Sequence, residues 1–246
     1  MTGTLYGLGV GPGDPELLTL KAARILGRVD AILAASSTKN DYSLSLDIVR
    51  PHLRPGAEVI RLGFPMTRDR AVLESAWEKN AAIAADILKN GRDAAFITLG
   101  DPLLYSTFGY LLPRLRATLP EAGVSIVPGI TSFQAAAAAA GEVLAESGEN
   151  LLILSGVAGE TRNGELLEMA DRAVILKAYR NFPAIREMLR RKGRERGTIF
   201  ATRLGIDGER VVRELEDAPD APHYLSLCLV GKKNGDSGKN GPDDAI

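Results

Sequence analysis

The sequence predicts an α/β protein built of two α/β domains, and three observations carry that expectation. Short apolar runs alternate with longer amphipathic segments through the first half, the rhythm of a mostly parallel sheet with helical crossovers. Strand-like runs then dominate beyond about Gly123, with fewer and shorter helices between them. The length of 246 residues suits one large domain or two of roughly 100–130 residues, and allows a sizeable core.

In the first half, strands are expected at 5–10, 31–35, 59–62, 94–99 and 124–127, where β-branched and apolar residues run together. Helices are expected at 16–28, 44–52, 71–90 and 108–119, several closed by Gly or Pro. The segment 132–140, with six consecutive alanines, has high helix propensity and permits close packing. In the second half the strand candidates are 151–154, 173–176, 198–202, 211–214 and 224–230, and the clearest helix is 183–192. Two Gly-rich or charged stretches, 141–150 and 156–164, read as surface loops. A composition shift at 119–123 marks the expected boundary, giving domains 1–121 and 122–232. The remaining 233–246 is Gly, Asn, Asp and Lys with few apolar residues, which predicts a disordered tail.

Composition removes several functional classes. With 30 basic against 31 acidic side chains, the chain lacks the basic excess of an electrostatic nucleic-acid binder. The opening has no basic segment followed by an apolar core, and no apolar stretch of about 18 residues occurs, so a membrane protein or a secreted one is not expected and the localisation read is cytoplasmic. Cys228 is the single cysteine and sits in an apolar run, which predicts a buried strand residue. With only His52 and His223 as histidines, no metal site is expected.

The glycine-rich segment Tyr6-Gly7-Leu8-Gly9-Val10-Gly11-Pro12-Gly13-Asp14-Pro15 joins the first strand to the first helix, where open α/β sheets place ligands. A dinucleotide fingerprint fails in both registers, since counting from Gly7 reaches Pro12 and counting from Gly9 reaches Asp14. Asp30 begins its strand instead of ending it, so the ribose-binding carboxylate is missing as well. No Gly-Lys-Ser/Thr follows for a phosphate loop. The spacing of Gly7, Gly9 and Gly11 matches a common Rossmann-type methyltransferase, but Leu5 stands where that motif carries an acid. Pro12 also restricts the turn and removes a donor.

Four segments together, residues 7–15 (GLGVGPGDP), 98–107 (TLGDPLLYST), 127–133 (VPGITSF) and 222–232 (PHYLSLCLVGK), resemble the tetrapyrrole methylase family, over essentially the whole chain except the tail. The Tyr-Ser-Thr after Gly-Asp-Pro, with the opening loop, is similar to the branch acting on precorrin-2 or cobalt-factor II at the C-20 meso carbon. The resemblance implies two α/β domains with S-adenosylmethionine folded into the cleft between them, gripped largely by backbone and leaving as S-adenosylhomocysteine. Carried over by position, the contacts are Pro12, then Leu99, Gly100, Asp101 and Leu104, then Thr131 and Ser132, with Lys177 and Leu204 on the second domain. Lys177 stands where many relatives carry methionine, and Leu204 where some carry glycine. A homodimer and a small-molecule tetrapyrrole partner are implied as well.

These residue types suit the chemistry. Gly100 at a strand end lets backbone approach a donor without a Cβ in the way, Asp101 can accept hydrogen bonds from an ammonium group, and Thr131 and Ser132 offer hydroxyls and amides where a helix starts. A sulfonium methyl and an electron-rich meso carbon need alignment and exclusion of water more than a side-chain nucleophile, so no catalytic residue is assigned. A substrate rich in carboxylates calls for cations, and Lys39, Arg68, Arg180 and Arg203 lie on expected loops or strand ends. The run Ser36 to Asn40 reads as a substrate-side loop. Two other readings stay open: a relative acting at another ring position or on siroheme or diphthamide precursors, and a metabolite-binding α/β protein without catalysis.

Overall fold

A computed structural model describes residues 1–36, 43–157 and 160–232 of the chain. It divides into two compact units, Met1–Thr131 and Ser132–Ile246. The expected tail 233–246, Lys39 and most of the run 36–40 lie outside the described residues.

The first unit contains, in order, β1 (Thr4–Gly9), α1 (Leu20–Leu26), β2 (Ala31–Ser36), α2 (Leu44–Val49), β3 (Glu58–Gly63), α3 (Arg70–Lys89), β4 (Ala94–Thr98), α4 (Phe108–Thr118) and β5 (Gly123–Val127). The strands lie in the order β3-β2-β4-β1-β5, every neighbouring pair parallel. Continuous apolar runs are what a sheet covered on both faces requires, because alternate side chains point to opposite faces. Within β2 and β4, Leu33 and Phe96 join Leu88, Phe108 and Leu111 in one core. Their neighbours Ile32 and Ile97 join Ile25, Leu26 and Val49 in the other.

Asp30 has a structural task at the amino edge of this sheet. One of its oxygens accepts the Asp93 N–H at 2.9 Å and the other takes Arg54 Nη2 at 2.7 Å. Asp93 in turn accepts the Thr4 N–H at 2.7 Å. The expected helix 16–28 is broken in two, because Asp14 caps a 3-10 turn at Pro15–Leu17 and Thr19 then caps α1 through Ala22 N–H. The expected helix 44–52 likewise ends in a 3-10 turn at Arg50–His52, where Pro51 has no N–H with which to continue.

The second unit contains α5 (Ser132–Ala140), β6 (Leu151–Ser155), α6 (Glu160–Leu167), β7 (Arg172–Leu176), α7 (Phe182–Arg191), β8 (Ile199–Thr202), β9 (Arg210–Val212) and β10 (Ser226–Val230). The strand order is β6-β7-β10-β8-β9. Only β6 and β7 pair in parallel; β10 runs antiparallel to both of its neighbours, and β8 to β9. Leu154, Ile175, Phe182, Ile185, Leu189, Phe200 and Cys228 form its core. Cys228 is fully enclosed, and burial pushes its thiol up to about 12, which leaves it an inert apolar residue.

Two expectations need correction here. The stretch 156–164 is not loop throughout, since α6 begins at Glu160; it is a polar helix that turns little more than Asn163 and Leu167 inward, so periodicity does not announce it. The first compact unit also runs ten residues past the expected boundary at 121, because β5 pairs with β1 from Thr4–Gly123 to Leu8–Val127.

Candidate functional site

All five strands of the first sheet are parallel, so their carboxyl ends share one edge, the place where open α/β sheets bind ligands. Three loops meet there. Val10 N–H donates to Thr98 O at 3.0 Å, and Gly100 N–H to Gly11 O at 2.8 Å, which makes Gly11–Gly100 a single antiparallel bridge. The approach is closer than any side chain permits. A Cβ on Gly9 would stand 2.5 Å from both Gly100 O and Gly129 N, and one on Gly129 only 2.2 Å from Gly100 O. Gly100 also has φ +67°, a left-handed conformation that glycine adopts without penalty. The glycine of the opening loop, that of Gly-Asp-Pro and that of Pro-Gly-Ile-Thr are therefore one junction.

Asp101 fastens it. Its Oδ1 accepts Leu103 N–H at 2.8 Å and its Oδ2 accepts Gly129 N–H at 3.1 Å, binding the loop after β4 to the loop after β5. Ser106 Oγ accepts the Phe108 N–H at 3.1 Å and donates to Thr98 Oγ1 at 3.0 Å. Between them Tyr105, 53% exposed, holds φ +51°, a conformation that a side-chain-bearing residue adopts at a cost. Pro12 is buried, and Leu99, Asp101, Leu104 and Thr131 are half-buried along the same edge. Arg68 is exposed between β3 and α3, again on the carboxyl side of the sheet.

The second unit has its own equivalent edge. Strands β7 and β8 both run antiparallel to β10 between them, so the ends of β7 and β8 and the start of β10 coincide. Lys177 with φ +57° and Arg203 with φ +56° follow the two strand ends directly. Leu204 is buried beside Arg203, Arg180 is exposed four residues after β7, and Ser132, half-buried, is the first residue of α5. The carried-over positions thus fall into two groups, Pro12 to Thr131 on the first sheet's edge and Lys177 with Leu204 on the second's.

Sequence reasoning did not single out Tyr179, His223 and Tyr224, which stand beside Arg180 and Arg203. His223 and Tyr224 lie inside the quoted segment 222–232, and Tyr179 follows a predicted strand end, so position relative to the strands was the available signal. Partial desolvation and then the Arg203 charge hold the His223 imidazole below its usual value. Among the described residues no group of three or more His, Cys, Asp or Glu side chains could hold a metal ion.

Residues 4–219 match the family model of the tetrapyrrole (corrin/porphyrin) methylases. The chain is 38% identical over 235 residues to the cobalt-precorrin-2 C(20)-methyltransferase of Salmonella typhimurium, covering 95% of this chain and 98% of that one. It is 32% identical over 236 residues to the precorrin-2 C(20)-methyltransferase of a Sinorhizobium species, covering 93% and 95%. Among solved structures, the cobalt precorrin-4 methyltransferase CbiF matches with a TM-score of 0.74 at 22% identity, over 93% of this chain and 94% of that one.

Proposed function

The chain belongs to the tetrapyrrole methylase family, and from that premise we propose that it methylates the C-20 meso carbon of precorrin-2, or of its cobalt-loaded counterpart, in cobalamin biosynthesis. Relatives bearing both acceptor names, similar along almost their full length, support the position. The observation that carries the reading is the junction of Gly9, Gly100 and Gly129, which offers a ligand main chain instead of side chains.

S-adenosylmethionine, the methyl donor of this family, supplies an electrophilic methyl on a sulfonium and departs as S-adenosylhomocysteine. The residues fit such a group. The loops bearing Pro12, Leu99, Gly100 and Thr131 present backbone at close quarters, and a positive ligand meets no cation on the junction itself. Each Asp101 oxygen already holds one backbone N–H and keeps a further lone pair, which suits the ammonium of the donor. Leu104 adds apolar surface, and Ser132, Lys177 and Leu204 complete the donor set proposed for the chain. What these groups contribute is position and exclusion of water, so that carbon, methyl and sulfur align without a side-chain nucleophile.

The test is a single-turnover reaction with donor labelled at its methyl, offered metal-free and cobalt-loaded acceptor separately. Label at C-20 of either product is expected, and the faster acceptor identifies the physiological one. Tight S-adenosylhomocysteine binding without transfer to either would leave a metabolite-binding protein instead of an enzyme. Among the described residues no helix is long and apolar enough to cross a membrane; we infer a cytoplasmic homodimer, which light scattering of the purified chain tests.

A further inference from the structure

The edge of the second sheet carries an aromatic and basic cluster outside the donor set proposed above. Pairing of Leu227 with Leu176 and of Ser226 with Thr202 aligns the segments that leave β7 and β8 with the one entering β10. Arg203 N–H extends the alignment by donating to Leu225 O at 2.9 Å. Tyr179 and Tyr224 consequently meet edge to face, with centroids 5.9 Å apart and planes at 84°. The His223 ring lies 5.8 Å from Tyr224, and the Arg180 guanidinium lies 6.0 Å from the centre of Tyr179. Tyr224 is 57% exposed.

Three features distinguish this cluster from an ordinary solvated surface. Several other arginines pair with carboxylates, as Arg54 does with Asp30, Arg92 with Glu58 and Arg172 with Glu142. Among the described residues Arg180 and Arg203 instead bond only the Tyr179 hydroxyl and the Asp207 carbonyl, each through Nε, so the terminal nitrogens of both forks remain for an anion. His223 Nδ1 accepts the Leu225 N–H at 3.2 Å, which puts the proton of the neutral ring on Nε2. The second nitrogen is thereby a donor and not a base. Finally, Arg203 holds left-handed backbone at this edge, the strain that recurs where ligands are gripped.

We propose that Tyr179, Arg180, Arg203, His223 and Tyr224 form the acceptor-docking surface, the exposed Tyr224 ring, braced edge to face by Tyr179, meeting the ring system while the guanidinia and His223 Nε2–H take its carboxylates. This deepens the function proposed above and rests on it for the acceptor's class. Stacking supplies area, and the forked donors choose which edge of the ring carries acidic arms towards them.

The probe is uroporphyrin, a stable octacarboxylate tetrapyrrole, titrated into the full chain by fluorescence. Arg180→Ala, His223→Gln and Tyr224→Leu should each weaken its binding roughly tenfold, as loss of a charge-assisted bond or a stacked ring implies, and Arg180→Lys should restore part of the loss. Because the chain has only two histidines, the His223 ring protons can be followed by NMR in a His52→Gln background. Bound uroporphyrin should move their titration midpoint upward, since a carboxylate favours the imidazolium. Calorimetry with S-adenosylhomocysteine should return the same affinity in all of these variants. Unchanged uroporphyrin affinity in the variants, an unmoved His223 midpoint, or no binding to the wild-type chain would overturn the docking surface. Failure of the wild-type chain to bind S-adenosylhomocysteine would count against the proposed function separately.

Discussion

A methyl group at Gly129 would stand 2.2 Å from Gly100 O and 2.7 Å from Gly9 Cα, and both obstacles are backbone at a strand end. No rotamer change can relieve such a clash, so Gly129→Ala must spread the three loops. Overpacking of this kind costs typically about 1–3 kcal/mol, and donor affinity should fall with the displaced backbone. Asp101→Ala acts at the same place by a different cause. It orphans the Leu103 and Gly129 N–H groups, each formerly bonded to a charged acceptor, and should cost about 1.5–3 kcal/mol in all. Asp101→Asn keeps one carbonyl oxygen and should lie between Asp101→Ala and wild type. Urea denaturation and donor calorimetry on the same samples check the ranking, and a Gly129→Ala protein with full stability and full donor affinity would refute the junction.

At the scale of elements, the second unit is tied at its far edge by charge. Arg172, on the first residue of β7, reaches Glu142 at 2.8 Å and Glu149 at 3.3 Å, while Lys232, just past β10, stands 2.5 Å from the second oxygen of Glu149. Burial pushes the Glu149 carboxyl up, but the Lys232 bond, the Glu146 N–H and the charges of Arg172 and Lys232 outweigh it and hold the group below its usual value. A carboxylate lowered in the folded state stabilises it fully above the ordinary carboxylate range, and that contribution disappears as pH falls through the lowered value. Lys232 is raised by the same bond, so its share is present below the ordinary lysine value and is lost as pH rises through the raised one. The melting temperature should therefore decline on both limbs, and Glu149→Gln should flatten both; an unaltered acid limb would exclude Glu149 as a source. Nothing in the order of residues announces this cluster, whereas the strands themselves were plain in the apolar runs, most within a residue or two of 31–36, 94–98 or 151–155. The break in the expected helix 16–28 before Thr19 and the polar α6 were missed because local caps and a face of little more than Asn163 and Leu167 leave no periodic trace. The glycines of the site were visible as motifs, but their meeting depends on β1 lying between β4 and β5. His223 and Tyr224 gain their neighbours only from the register of β10, which local sequence does not encode.

For the molecule as a whole, a formal charge of −1 adds little net attraction for either ligand, and the recognition proposed above is local, at the two sheet edges. The donor can then stabilise the chain only by binding the folded state, and mass action sets how much. At a free S-adenosylhomocysteine concentration about a hundredfold above its dissociation constant, the gain is about 2.7 kcal/mol. For a chain of this size that corresponds to a rise of roughly 5–10 °C in melting temperature. Gly129→Ala should forfeit the rise because the junction no longer closes on the ligand. Arg180→Ala should keep it in full, since the proposed docking surface assigns that side chain to the acceptor and not to the donor. A calorimetric scan of the three proteins with and without ligand separates the roles, and a wild-type melting temperature that stays fixed at saturating S-adenosylhomocysteine would show that the glycine junction grips something other than an adenosyl donor.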